Sequence, residues 1–172
     1  MSRAFVDDDH QLPEELPELP QSGNPGYITL GGLSRLKAEL DRLENIELPP
    51  LLAAIEAEGA QAVEAETRRA RVEQRINYLQ ARIARAIVVN PSAAPADRVH
   101  FGAAVSVRDQ NGQEMRVHIV GEDETDPEHN RVSCFSPLAK ALMSKQVGES
   151  VIWHRPIGDI ELTVLGIESD DR

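Results

Sequence analysis

Four glutamates and four arginines near the middle of the chain are the side chains best spaced for chemistry. Glu56, Glu58, Glu64 and Glu66 lie close together, with no Lys or Arg between Arg42 and Arg68. Directly behind them come Arg68, Arg69, Arg71 and Arg75. Carboxylate oxygens are the ligands that Mg²⁺ takes from proteins. Delivered to a metal held elsewhere, they can help bind a second ion and orient a water for phosphodiester hydrolysis. The arginines offer local phosphate contacts, or partners for nearby acids. The plainer reading is a solvated helix end, because Glu is a good helix former with no need to act. Composition alone favours that plainer reading.

No other motif supplies catalysis. There is no phosphate-cradling glycine loop, nucleophile elbow or zinc-ligand spacing. The histidines (His10, His100, His118, His129 and His154) are scattered, and His118 and His154 alternate with apolar neighbours as strand residues do. Cys134, the single cysteine, has no evident basic partner and reads as a small packed residue. Trp153 reads as a core or edge anchor. On these grounds the chain is expected to be a non-enzyme with no catalytic residues, no metal site and no cofactor of its own.

The elements that must carry the acidic cluster come from periodicity. Thr29 precedes LGGLSRLKAELDRL as a helix N-cap. Leu33, Leu36, Leu40 and Leu43 then form one apolar stripe. Pro49–Pro50 interrupts it. Proline inside a helix costs roughly 3 kcal/mol, which predicts a kink or restart there. Leu48, Leu52 and Ile55 would resume the stripe. Gly59 marks the turn, and Val72, Ile76, Leu79, Ile83 and Ala86 form a returning seam. Matching seams predict an antiparallel helical hairpin with the glutamates at its far end. From Leu30 to Glu58 the arm would extend about 40 Å.

The remaining chain changes period. Residues 1–26 hold four prolines and six acids against Arg3, too polar to offset their ordering entropy. They read as a disordered acidic tail, followed by the arm over 27–88 and a linker over 89–96. Over 97–170, alternation at Ala103–Arg108, Met115–Val120, Val151–Arg155 and Ile160–Leu165 predicts strands. Asn111–Gly112 signals a hairpin turn. Ser136 and Pro137 open a short helix. The fold class is therefore α+β: an N-terminal antiparallel helical hairpin, then an antiparallel sheet domain with one short helix.

Net charge of −11 over 172 residues excludes tight backbone binding to DNA or RNA. Nucleic acid should be met only weakly, or indirectly through a protein. An aromatic content of 3% argues against base-stacking RNA platforms. No apolar run reaches membrane-spanning length, and the acidic N-terminus is unlike a signal peptide. A cytoplasmic protein with no membrane partner is expected.

The order of parts from Tyr27 to Ile167 resembles the Gre transcript-cleavage factors of bacterial RNA polymerase. The resemblance rests on Val99-His100-Phe101-Gly102, on Ile119-Val120-Gly121-Glu122-Asp123-Glu124, and on Ser136-Pro137-Leu138-Ala139-Lys140-Ala141-Leu142 followed by Val147-Gly148-Glu149. In the arm it rests on Thr29, Gly32-Leu33, Leu36-Lys37, Glu39-Leu40 and the break at Pro49. It implies an FKBP-like second domain that grips polymerase, with Ser136, Pro137, Leu138, Ala139 and Leu142 in or beside the contact. It also implies a coiled coil that enters the secondary channel and brings the acidic end towards polymerase-bound Mg²⁺. The sequence lacks the D-x-x-E-N-A tip of cleavage-competent members, reading Glu58-Gly59-Ala60-Gln61-Ala62-Val63-Glu64 instead. The arm also counts about one turn shorter per helix, about 5 Å of reach.

A polymerase-bound elongation regulator with little or no cleavage stimulation is the leading expectation. An active cleavage factor is one alternative, and a regulator like the short-armed Rnk relatives is another. An FKBP-type prolyl isomerase is remote, since fold does not confer function and Phe101, Phe135 and Trp153 are too few to line a proline pocket.

Overall fold

The computed structural model describes residues 16–90, 94 and 96–169. Most of the expected acidic tail, part of the expected linker and the last three residues lie outside them. The described residues fall into two units, one within 16–22 and 39–81, the other within 23–38 and 82–169. The roots of the expected arm thus group with the sheet.

In the first unit the apolar stripes build a helical hairpin. Helix α1 (Leu30–Arg42) runs into a π-helical turn (Leu43–Glu47) and on into α2 (Leu48–Glu56). The expected restart at the prolines takes this form, with α2 beginning at Leu48 after the π-helical turn. The Leu48 N–H donates to the Leu43 carbonyl, and Pro49 and Pro50 fall in the first turn of α2. There a missing N–H costs least. The wide turn adds one residue to the helix, so the inward face moves by one position. Leu43 and Leu51 are buried, whereas Leu52 is 40% exposed. Leu51 therefore takes the place expected of Leu52. Returning helix α3 (Ala62–Ala84) buries Ala65, Ile76 and Leu79 and half-buries Val72 and Ile83, which matches the expected seam as far as Ile83, whereas Ala86 lies beyond the helix in a strand. Between the helices, the Arg75 guanidinium donates to both Glu39 oxygens at 2.8 and 3.0 Å. The Gln80 amide donates to Glu44 at 2.8 Å.

The second unit opens with a pairing that periodicity did not suggest. Strand β1 (Gly26–Ile28) lies parallel to β2 (Ala86–Val88), the segment just past α3. The main sheet comprises β3 (Ala103–Asp109), β4 (Glu114–Val120), β5 (Arg131–Ser133), β6 (Ser150–Trp153) and β7 (Ile160–Ser169). Its order is β5-β4-β3-β7-β6, antiparallel except for β4–β5. The strand β5 and its parallel pairing were not expected. Helix α4 (Pro137–Leu142) sits on the sheet, and Leu138, Ala139 and Leu142 join Val105, Ile119 and Leu162 in one core. This is the α+β arrangement that the change of period implies.

Candidate functional site

At the hairpin end the turn differs in detail from expectation. Glu58, not Gly59, takes the left-handed conformation, with φ of 48°. Its N–H donates to the Ile55 carbonyl, and the Ala62 N–H to the Gly59 carbonyl. A non-glycine residue there carries steric strain. Glu56 ends α2, Glu58 sits in the turn, and Glu64 and Glu66 lie in the first turns of α3. Among the described residues none of the four carboxylates has a hydrogen-bond or ion-pair partner. Glu64 and Glu66 are two apart on a helix, so they leave its axis about 200° apart. No group of three His, Cys, Asp or Glu side chains among the described residues converges as a metal site. The cluster concentrates charge without forming a cage.

The four arginines do not act as one patch. Arg75 is committed to Glu39 and lies 5.2 Å from the Tyr78 ring centre. Arg69 pairs with Glu73 one turn on, at 3.4 Å. Arg68 and Arg71 are exposed and have no partner among the described residues.

The segment expected to contact polymerase needs a larger correction. Leu138 is 5% exposed, and Ala139 and Leu142 are fully buried. They are core residues, because α4 turns this face onto the sheet. Only Pro137 is exposed and Ser136 partly so. Ser136 caps the helix by accepting the Ala139 N–H at 3.2 Å.

A polar cluster of this unit went unnoticed as such. The Glu122–Glu124 turn follows β4, and the buried Glu124 carboxylate accepts from the Thr29 N–H and hydroxyl, the Gly121 N–H, Arg35 and Arg131. Arg82, 4% exposed, donates to Asp123 at 2.7 to 3.0 Å. Gly32 and Gly121 are small for a reason. A Cβ on Gly32 would strike the Glu124 side chain, and one on Gly121 the Tyr27 carbonyl. The acidic run Gly121–Glu124, with basic residues far away in sequence, was the available signal.

Elsewhere, burial and then the Glu122 and Glu124 charges push the Cys134 thiol up, which keeps it a thiol and a poor nucleophile. His100 is buried between the Phe101 carbonyl and Ser169. Tyr27 packs against Phe101 and stacks on Phe135, so these aromatics do not stand open as a proline pocket.

Residues 94–169 match the family model "Transcription elongation factor, GreA/GreB, C-term". GreA of Thermodesulfovibrio yellowstonii is 40% identical over 149 residues, covering 81% of this chain and 94% of that protein. GreB of Neisseria meningitidis serogroup B is 34% identical over 151 residues, covering 83% and 93%. The chain belongs to the GreA/GreB family of transcription elongation factors. Among solved structures, Thermus aquaticus Gfh1 matches at 24% identity with a TM-score of 0.41, covering 83% of this chain and 97% of that one.

Membership corrects the expectation of a plain non-enzyme. The relatives carry the names transcription elongation factor GreA and GreB, and nothing in those names marks the chain as a plain non-enzyme. The Glu122–Glu124 turn and the Ser136–Leu142 helix both lie inside the matched Gre region. There the first ties down the roots of the helices and the second completes the core.

Proposed function

We propose that this Gre-family factor binds bacterial RNA polymerase through its sheet unit and passes the hairpin into the secondary channel. The four glutamates then approach polymerase-bound Mg²⁺, and the factor modulates elongation while adding little to transcript cleavage. One observation carries this reading: a hairpin end with four unpartnered carboxylates in a chain of this family. Carboxylates without internal partners are available to a metal supplied from outside. The divergence of Glu64 and Glu66 around α3, and the missing D-x-x-E-N-A sequence, oppose joint ligation of one ion. Ligand oxygens must come within about 2.1 Å of Mg²⁺, which leaves no room for a misdirected side chain.

The polymerase contact is narrowed to the exposed start of α4, at Ser136 and Pro137. Direct binding to nucleic acid is weak because a charge of −11 repels phosphates. No helix among the described residues is long and apolar enough to cross a membrane. The proposed workplace is the cytoplasm, with polymerase. Backtracked elongation complexes test this reading. The factor should leave their RNA nearly full length and should reduce shortening by an added GreA. Strong shortening, lost with Glu64→Gln and Glu66→Gln, would overturn the cleavage part. Absence of competition would overturn binding in the channel.

A further inference from the structure

The main sheet ends at β6, and among the described residues no strand lies beyond it. The Val164 N–H donates to the Glu149 carbonyl, and the register then sets Val151 against Leu162 and Trp153 against Ile160. Bonded positions alternate in an antiparallel ladder, so Ser150 and Ile152 turn their N–H and carbonyl groups to the open edge. Natural sheet edges are blunted by Lys, Pro or inward-pointing charge. Strand β6 reads Ser-Val-Ile-Trp and has no such guard. It presents Ile152, 55% exposed, instead. Exposed apolar residues also flank the strand: Val147, five residues before Ile152, and Ile157, five after. Glu149 and Arg155 stand three before and three after. About Ile152 the sequence is self-complementary, acid against base and apolar against apolar.

We propose that β6 is the docking edge for a second copy of this chain, paired antiparallel about a two-fold axis at Ile152. This surface does not depend on the reading of the hairpin. Such an axis sets each residue against the one equally far on the other side of Ile152. Ile152 then exchanges both backbone bonds with its counterpart. Glu149 of each copy stands beside Arg155 of the other, the cross-strand placement of opposite charges that stabilises sheets. The Arg155 Nε donates to the Gly158 carbonyl, which leaves the terminal nitrogens for that acid. Val147, in the turn before β6, comes to Ile157, in the turn after it, and both lose their exposure. Charge selects the antiparallel arrangement, since a parallel one sets Glu149 against Glu149 and Arg155 against Arg155. A four-residue strand makes a small contact. Interfaces below about 1,200 Å² belong to transient complexes, so the dimer is weak and reversible.

Sedimentation equilibrium of the full chain tests this. The chain should be monomeric when dilute and should dimerise reversibly by about 1 mM, within the range of small interfaces. Ile152→Lys should abolish dimerisation and leave thermal unfolding unchanged. Arg155→Glu and Glu149→Arg should each raise the dissociation constant by about fivefold or more. The double variant Glu149→Arg/Arg155→Glu should bring it back to within about twofold, because the exchanged charges meet again across the axis. A local loss of structure in either single variant would not be rescued in this way, so the charge variants decide the matter independently of Ile152→Lys. A chain that stays monomeric throughout would overturn the proposal. So would a dimer that persists in Ile152→Lys, or a double variant no better than the single ones.

Discussion

The Glu124 carboxylate accepts both the backbone N–H and the hydroxyl of Thr29, at 2.9 and 2.5 Å. The same Thr29 hydroxyl accepts the Gly32 N–H at 2.9 Å and so caps α1. One buried acid thus ties the start of the first helix to the turn after β4. A buried carboxylate is tolerable only with such a set of donors.

Glu124→Ala should therefore destabilise the second unit by about 3 kcal/mol, because it leaves buried donors without an acceptor. Arg35 is half exposed and contributes little to that loss. Glu124→Gln should cost less, since one side-chain oxygen still accepts. Urea unfolding of the two variants beside the parent chain checks the order.

Leu138→Asp and Pro137→Asp should separate folding from contact. Leu138→Asp places an unpaired carboxylate in the core and should abolish cooperative unfolding. Pro137→Asp alters an exposed first helical position and should change stability by no more than about 0.5 kcal/mol. If the start of α4 meets polymerase, Pro137→Asp should still lower retention on immobilised core enzyme by tenfold or more. Thermal unfolding and retention, measured on the same samples, decide the matter.

Glu58→Gly should relieve the left-handed turn of its Cβ clash and leave the hairpin as stable or slightly more so, by up to about 1 kcal/mol. Glu58→Val should lower stability instead, because a branched Cβ fits that conformation worst. Thermal scans of the two variants are sufficient.

Acid should weaken the fold through three surface carboxylates. Asp109 is held below its ordinary 3.8, chiefly by the Gln113 N–H, and Asp126 likewise, chiefly by the His129 ring. Glu149 is held below 4.5, chiefly by the Gln146 N–H. In each case the folded chain binds its proton less readily than the unfolded chain. The stabilisation is fully present above those ordinary values and is lost as pH falls through the lowered ones. Stability measured from pH 6 to pH 3 should fall on acidification. Asp109→Asn should flatten part of that fall.

Much of this architecture was legible because it follows from period. The seam through Val72, Ile76 and Leu79, the strands around Val105 and Leu162, and the Ser136 cap all come from side-chain spacing. The failures share a cause, which is that short or irregular backbone leaves no period. Strands β1, β2 and β5 are three residues each. The π turn at Leu43–Glu47 adds one residue and moves burial from Leu52 to Leu51. In α4, motif likeness marked Leu138 and Leu142 as contact residues, whereas their spacing on a short helix beside a sheet is that of core. The partners of Glu124 include Thr29 and Arg35, 95 and 89 residues away. No local pattern links positions so far apart in the chain.

On the proposed function, the hairpin end reaches the metal of RNA polymerase. Replacing the active-centre Mg²⁺ with Fe²⁺ and generating hydroxyl radicals there tests it directly, because the radicals cut only nearby backbone. Scission of this chain should cluster between Glu56 and Glu66 and should be lost when excess GreA is added. Scission confined to the sheet unit, or none at all in a complex shown to have formed, would contradict it.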